Sequence, residues 1–484
     1  MDKHIISKIG LGAVVIALIV WVVSCALNPV TGKREIMLMS SADELAMGQQ
    51  TNPQILQTYG KYDDPELARY VAELGKRLGA LSHQPNLAYN IQVLDSPVVN
   101  AFAVPGGYVY LTRGILAYIN DEAELAGVVA HEIGHIAARH SAQQYSKAQF
   151  AQLGLGLGSV LSKTFRKYAG VAQAGVGLLF ASFSRSDERE ADALGVEYSA
   201  KAGYDTNHMA NLFVSLERLN PGEGQGGLPG WFSTHPNPEN RIAAVKEDTL
   251  VWREKISQTR FAVNRDQYLK HIDGIVFGED PRQGYVEGNV FYHPELRFQF
   301  PVPSGWKVNN TASQVQMINQ DQNAVILFSM APEKTPSSAA DAFLKESQAV
   351  VAKSESTKVN GMQAYRIVSD VTTEQGVIRV MSYFIQKGQI VYAFLGYTEQ
   401  SRFNGYSSVF EQTMGRFNSL TDSRKINVKP DRLDVKRTTS QGSLRQALQR
   451  FGEPANQGEA LAIINGMKLD DAVAGNTFLK VVVK

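Results

Sequence analysis

Cysteine is almost missing from this 484-residue chain: Cys25 is the only one, so no intramolecular disulfide can form. An excess of either charge is missing too. Lys plus Arg number 48 against 47 Asp plus Glu, a net charge of +1, and a nucleic-acid binder would carry a strong basic surplus. Long apolar runs are lacking except for one at the amino terminus, which excludes a polytopic membrane protein. There is no internal repeat at a solenoid period, so no tetratricopeptide-type array is expected. What remains is 44% hydrophobic and 20% charged residues, the balance of a folded globular chain, with length for about three domains.

Residues 1–24 read as a signal peptide, with Lys3 and Lys8 ahead of an apolar stretch from Ile9 to Val23. The stretch ends in Val22-Val23-Ser24-Cys25, which resembles the bacterial lipobox, where a small residue precedes the lipidated cysteine. Cleavage before Cys25 would leave an acylated first residue as a membrane anchor. An uncleaved anchor over Ile9–Leu27 is the alternative, and both readings export the rest of the chain. Ala26 stands where the lipoprotein pattern places Asp for inner-membrane retention, so a periplasmic protein tethered to the outer membrane is expected.

Residues 25–40 then read as a tether, and Ser41-Ala42-Asp43-Glu44 as a capping box opening a helix. A second helix is expected from Pro65 to Leu78, with Leu67, Val71, Leu74 and Leu78 on one face. Tyr89–Leu94, Ala101–Val104 and Tyr108–Leu111 read as strands, the last two separated by Pro105-Gly106-Gly107. Gly222–Gly227 is a flexible loop, and 255–290 a charged connector with one helix. From 291 to 420 short alternating strands predict an α+β domain. Residues 421–442 are polar and read as a linker, and 443–484 as a small module.

The chemistry lies in His131-Glu132-Ile133-Gly134-His135. Asp121–Glu124 supplies a helix start, and Leu125, Val128, Val129, Ile133 and Ile136 an apolar face, so the motif sits on a helix. Four residues is one turn, so both imidazoles can reach one Zn²⁺, with Glu132 beside them to take a proton from the attacking water. Nine histidines in 484 residues would produce this pattern by chance in about one chain in a hundred. A catalytic zinc needs a third protein ligand. The candidate stretch is Ser184-Arg185-Ser186-Asp187-Glu188-Arg189-Glu190-Ala191-Asp192, where Glu188 and Asp192 are again one turn apart and Glu190 competes for the ligand role.

HExxH followed after several tens of residues by ExxAD resembles metallopeptidase family forty-eight, the group that includes HtpX, the CAAX prenyl proteases and BepA-type lipoproteins. The resemblance implies a mainly helical zincin (gluzincin-type) metalloprotease domain over 41–254 with a small edge-exposed β-sheet. It implies one Zn²⁺ per chain on His131, His135 and Glu188, and Asp192 orienting a ligand histidine. Asn100-Ala101-Phe102-Ala103 is similar to the family's edge strand, which would hold an extended substrate by its backbone. Ser233-Thr234-His235-Pro236 with Arg241 resembles the STHP…R segment of the lipoprotein members. There the histidine is an extra ligand that keeps the enzyme latent and the arginine lies near the site. Arg241 would then stabilise an oxyanion, with a plain surface salt bridge as the alternative.

Other histidines have plainer readings. His140 lies off the face of the motif and is either behind a ligand or in solvent, while His208, His271 and His293 lack ligand spacing. Leu153–Phe183 is apolar but interrupted by Lys163, Arg166 and Lys167, so it reads as helices packing over the site.

The carboxyl-terminal half lacks the tetratricopeptide repeats of BepA. Phe298-Gln299-Phe300-Pro301-Val302-Pro303-Ser304-Gly305-Trp306 resembles the PsbP/MOG-like fold, and 443–484 has the shape of a LysM-like module. LysM domains bind peptidoglycan; a packing domain is the alternative. The whole is an α+β chain expected to be an exported, membrane-tethered zinc endopeptidase acting on unfolded or misassembled envelope proteins. A non-proteolytic assembly factor with a vestigial zinc site is the rival, and too few spans are present for an intramembrane protease.

Overall fold

The computed structural model describes residues 25–152, 182–219, 230–236, 240–373 and 376–484. The signal segment, the GEGQGG loop and most of 153–183 lie outside the described residues. Among the described residues no helix is long and apolar enough to cross a membrane.

The chain starts with a short hairpin, β1 (Cys25–Leu27) against β2 (Arg34–Ile36). The Asn28 side chain makes its turn by accepting from Val30 N at 2.8 Å and Thr31 N at 3.2 Å. Residues 25–40 are therefore not a free tether. Met37 and Met39 are buried against Ala142, and Leu38 N donates to Ser146 Oγ at 3.0 Å. The apolar side chains of Met37 and Met39 give the stretch a reason to pack.

Helix α1 (Ser41–Tyr59) starts one residue earlier than the sequence predicts: Ser40 is the N-cap, and Asp43 closes the capping box by accepting from Ser40 N at 2.9 Å. Helix α2 (Pro65–Gly79) buries Leu67, Val71, Leu74 and Leu78, as their spacing requires. It lies on a three-stranded sheet of β3 (Asn90–Leu94), β4 (Ala101–Val104) and β5 (Tyr108–Thr112). The order is β3-β5-β4, with β3 parallel and β4 antiparallel to β5, so β4 is an edge.

After the short α3 (Arg113–Tyr118) comes α4 (Glu122–Ala137), in which every residue is buried. A helix buried all round must sit at the centre of its domain. Around it pack α5 (His140–Gln152), α6 (Arg185–Lys201), α7 (Asn207–Glu217), the single turn α8 (Trp231–Thr234), α9 (Arg241–Lys255) and α10 (Arg265–His271).

Beyond the connector, β6 (Tyr285–Glu287), β7 (Val290–His293) and β8 (Phe298–Pro301) begin a four-stranded sheet, which β16 (Asn418–Ser419) completes in the order β16-β8-β7-β6. A seven-stranded antiparallel sheet uses β9 (Lys307–Asn310), β10 (Gln314–Ile318), β11 (Ala324–Ala331), β12 (Val350–Val359), β13 (Met362–Thr373), β14 (Gly376–Lys387) and β15 (Ile390–Glu399). Helix α11 (Pro336–Ser347) packs Ala339 and Ala340 against it, and α12 (Phe403–Met414) buries Phe403, Phe410 and Met414 in a core rich in phenylalanine.

The stretch read as a linker, 421–442, contains a strand, β17 (Arg432–Arg437), paired with β20 (Phe478–Val483). Its Leu433 and Val435 face inward between charged neighbours, a period-two pattern that polar composition hides. A two-residue pair, β18 (Gly442–Ser443) with β19 (Ala472–Val473), and the helices α13 (Leu444–Phe451) and α14 (Gly458–Ile464) complete the last unit. Its core is not separate: Leu433, Leu448, Leu461, Leu479 and Val481 join the cluster built around α2 and α4.

Candidate metal centre

Asp121 caps α4 by accepting from Glu124 N at 2.8 Å, and the acidic first turn suits the positive end of the helix dipole. Helix α6 opens on Ser184 with a capping box closed by Asp187. The two helices cross closely because both carry glycine at the contact. A Cβ on Gly134 would stand 3.1 Å from Leu194 Cβ, and one on Gly195 would stand 3.3 Å from His131 N. That approach brings Glu188 to the two histidines of α4, across a gap in sequence of more than fifty residues.

His131 Nε2 and His135 Nε2 are 3.0 Å apart. Glu188 Oε1 is 3.4 Å from His135 Nε2, and Glu188 Oε2 is 3.7 Å from His131 Nε2. His235 adds its Nδ1 at 3.3 Å from His131 Nε2 and 2.9 Å from Glu188 Oε1. The four ligand atoms lie within 4.8 Å of one another, and all four residues are buried. A tetrahedral zinc with ligands at 2.0–2.1 Å holds neighbouring donors about 3.3–3.5 Å apart, so this donor set has the right spacing and composition for that ion. His131 Nδ1 lies 3.0 Å from Asp192 Oδ1, so the proton sits on Nδ1 and Nε2 presents a lone pair to the centre.

Arg241 is buried, which excludes the surface salt bridge. Its Nε and Nη2 hold Asp192 at 2.6 and 2.8 Å, and Nη2 lies 3.1 Å from Glu188 Oε2. The guanidinium stacks over Phe213 at 4.3 Å, and its Nη1 has no hydrogen-bond partner among the described residues. Burial alone would raise both carboxyls. Arg241, together with His235 whenever its imidazole is protonated, overturns that for Glu188 and holds it well below the ordinary carboxylate value, and Arg241 with His131 lowers Asp192. Both are therefore anions at neutral pH. Burial drives His135 well below the usual histidine value, which keeps the imidazole neutral, the form that binds a metal.

Glu132 is fully buried, and neither carboxylate oxygen has a hydrogen-bond partner among the described residues. Burial raises its pKa, so it can accept and release a proton more readily than a solvated carboxylate. His235 Nε2 is 3.4 Å from Glu132 Oε1. Burial pulls the His235 imidazolium down, but Glu188 and Glu132 outweigh it and leave its pKa above the ordinary value.

Two aromatic rings close the centre. Trp231 stacks on His235 with centroids 4.3 Å apart, and Phe183 stacks on His135 at 4.0 Å. Phe183 N donates to Thr234 O at 3.2 Å, tying the two segments together. Trp231 N donates to Val99 O at 2.9 Å, and Thr234 Oγ1 reaches Asn100 Oδ1 at 3.4 Å, so the turn bearing His235 lies beside the start of β4. Ala101, Phe102 and Ala103 continue that edge, all three buried.

Sequence reasoning gave Trp231 no role and Phe183 only a place at the end of a segment packing over the site, because only the folded chain brings these rings to the imidazoles. His140, read as lying behind a ligand or in solvent, takes the first of those two places. It is buried, with Nδ1 at 2.9 Å from His135 Nδ1 and Nε2 at 3.2 Å from Glu190 Oε2. Glu190, the competitor for the ligand role, thus faces His140. Helical spacing leaves the choice open because α4 ends at Ala137 and Arg139 takes φ 60°, which restarts the helix in a new register.

Residues 65–249 match the model of Peptidase family M48. A beta-barrel assembly-enhancing protease of Escherichia coli is 30% identical over 240 residues, covering 48% of each chain. The mitochondrial metalloendopeptidase OMA1 of Schizosaccharomyces pombe is 33% identical over 230 residues, 45% of this chain and 65% of that one. The chain spans about half the length of the curated bacterial relatives it matches. In the carboxyl-terminal half, the solution structure of a cyanobacterial PsbP from Synechocystis aligns over 28% of this chain and 96% of that one, at 15% identity and a TM-score of 0.23. A score that low carries no argument about fold.

Proposed function

We propose that this chain, whose residues 65–249 form a domain of peptidase family M48, is a zinc-dependent endopeptidase of the cell envelope held latent by His235. The observation that carries this reading is the convergence of two imidazole nitrogens and one carboxylate beside an unpartnered buried Glu132. Zinc on His131, His135 and Glu188 would supply Lewis acidity, making a water acidic enough to attack and polarising the scissile carbonyl. The chain's own residues do the rest. Glu132 takes the proton of the attacking water and returns it to the leaving amine. Asp192 holds His131 in the tautomer that binds metal, and Arg241 locks Asp192 in place. The unpartnered Nη1 of Arg241 is the donor available to a developing oxyanion.

An extended substrate would pair with the β4 edge at Asn100–Ala103. That requires the turn carrying Trp231 and His235 to leave, since its backbone already engages Val99 O. His235 is thus a resident fourth ligand, and its departure both opens a coordination position and frees the edge. The Escherichia coli relative is named for β-barrel assembly, which supports unfolded or misassembled envelope proteins as the substrate class proposed here. Tethering through an acylated Cys25 would place the centre in the periplasm.

Casein hydrolysis by the purified mature chain tests the reading. The wild type should cleave, a zinc chelator should stop it, and Glu132→Gln should lower the rate by a factor of about 10²–10⁴ with zinc content unchanged. Chelator-resistant cleavage, or a Glu132→Gln protein of full activity, would overturn it.

A further inference from the structure

We propose that His140 and Glu190 are positioning residues that fix the tautomer of His135 and so set the affinity of the centre for zinc; this rests on the zinc centre proposed above. Two imidazole nitrogens 2.9 Å apart, His135 Nδ1 and His140 Nδ1, share one hydrogen, and geometry alone does not say which ring donates it. Glu190 settles the matter. Its Oε2 lies 3.2 Å from His140 Nε2, and a carboxylate oxygen accepts a hydrogen bond but has none to donate. His140 therefore donates from Nε2 to Glu190 and offers the Nδ1 lone pair to His135. That lone pair accepts from His135 Nδ1–H. His135 Nε2 is then a lone pair aimed at His131 Nε2, 3.0 Å away.

Both ligand imidazoles are thus oriented from behind by a carboxylate, directly for His131 and through one intervening imidazole for His135. With both Nε2 atoms unprotonated and 3.0 Å apart, the pair repels unless a cation lies between them. The backbone is built to deliver His140. The left-handed Arg139 breaks the helix, and its side chain is fastened by Nε to Glu44 Oε1 at 2.6 Å and by Nη2 to Met39 O at 2.9 Å. The His140 ring meets His135 edge-on, with centroids 5.0 Å apart at 73°. Met39, just before α1, and Glu44, in its first turn, therefore hold the kink that supports the ligand.

Zinc affinity is measured on the full mature chain by competition with a chromophoric chelator. His140→Leu should weaken zinc binding about 10–100-fold. His140→Gln, whose amide oxygen can accept from His135 Nδ1–H, should recover most of that loss. Glu190→Ala should fall between the wild type and His140→Leu. A merely structural histidine would not show the rescue. Spectra of ¹⁵N-histidine-labelled wild type read the tautomers independently of any variant: His131 and His135 should carry hydrogen on Nδ1, and His140 on Nε2. His140 protonated on Nδ1, or a His140→Leu protein binding zinc as the wild type does, would overturn the proposal. A wild type that binds no zinc would instead remove the centre itself, a different failure.

Discussion

Lys480 gives the sharpest test of how the last strand supports the metal centre. Its side chain is fully buried, and Nζ donates to Ala117 O at 2.7 Å and Ile119 O at 2.8 Å, the carbonyls that end α3 just before the cap of α4. Burial drives its amine well below the ordinary lysine value. Asn465 fixes the same strand by accepting from Lys480 N and donating to Lys480 O, both at 2.8 Å. Lys480→Met keeps the length and apolar stem but strands two buried carbonyls, each worth about 1–3 kcal/mol. Relief from burying a polar amine offsets part of that, leaving a net loss of about 2–4 kcal/mol. At 1.4 kcal/mol per decade, local opening should become about 30–1000 times more frequent. Hydrogen exchange should therefore accelerate by that factor in Phe478–Val483 and also in the first turns of Glu122–Ala137, with casein cleavage falling in parallel. Exchange within threefold of the wild type, or acceleration confined to the last strand, would refute the claim that this lysine braces the HExxH helix.

His235→Ala removes the proposed fourth ligand and the partner of the Trp231 ring, so basal casein cleavage should rise several-fold; unchanged initial rates would remove the latch. Gly195→Leu must wedge α6 from α4, because even its Cβ would stand 3.3 Å from His131 N. Overpacking of about 1–3 kcal/mol and a displaced Glu188 should lower zinc affinity at least tenfold, whereas Gly405→Ala, with open space around it, should leave affinity unchanged. His208 Nδ1 bonds Asp121 Oδ2 at 2.6 Å, and that hydrogen bond raises its pKa above the ordinary 6.5. The stabilisation is present in full below about pH 6.5 and is lost as pH climbs through the raised value, so His208→Gln should flatten the decline. Equal slopes of unfolding midpoint against pH in the two proteins would contradict this.

How far the sequence could be read follows from the range of each contact. The pairing of His131 with His135 is local, one turn of a helix whose burial pattern is written in its apolar residues. The caps at Asp121 and Ser184 are local too. Glu188 is not, and a family pattern rather than spacing pointed to it. His140 was left between a place behind a ligand and one in solvent because one left-handed residue, Arg139, shifts the helical register without any glycine or proline to announce it. The packing of 25–40 on α5 and the insertion of Lys480 beneath α4 join residues more than a hundred and more than three hundred and sixty positions apart, and no periodicity encodes such pairs. The strand at Arg432–Arg437 was legible in its alternation but masked by the charges between Leu433 and Val435.

The proposed chemistry needs one cation held between α4 and α6, and anomalous scattering at the zinc edge from crystals of the zinc-loaded mature chain tests that directly. A single peak should lie within about 2.0–2.2 Å of His131 Nε2, His135 Nε2 and a Glu188 oxygen. No peak at that position, or a peak bound by the histidines with Glu188 turned away, would contradict it.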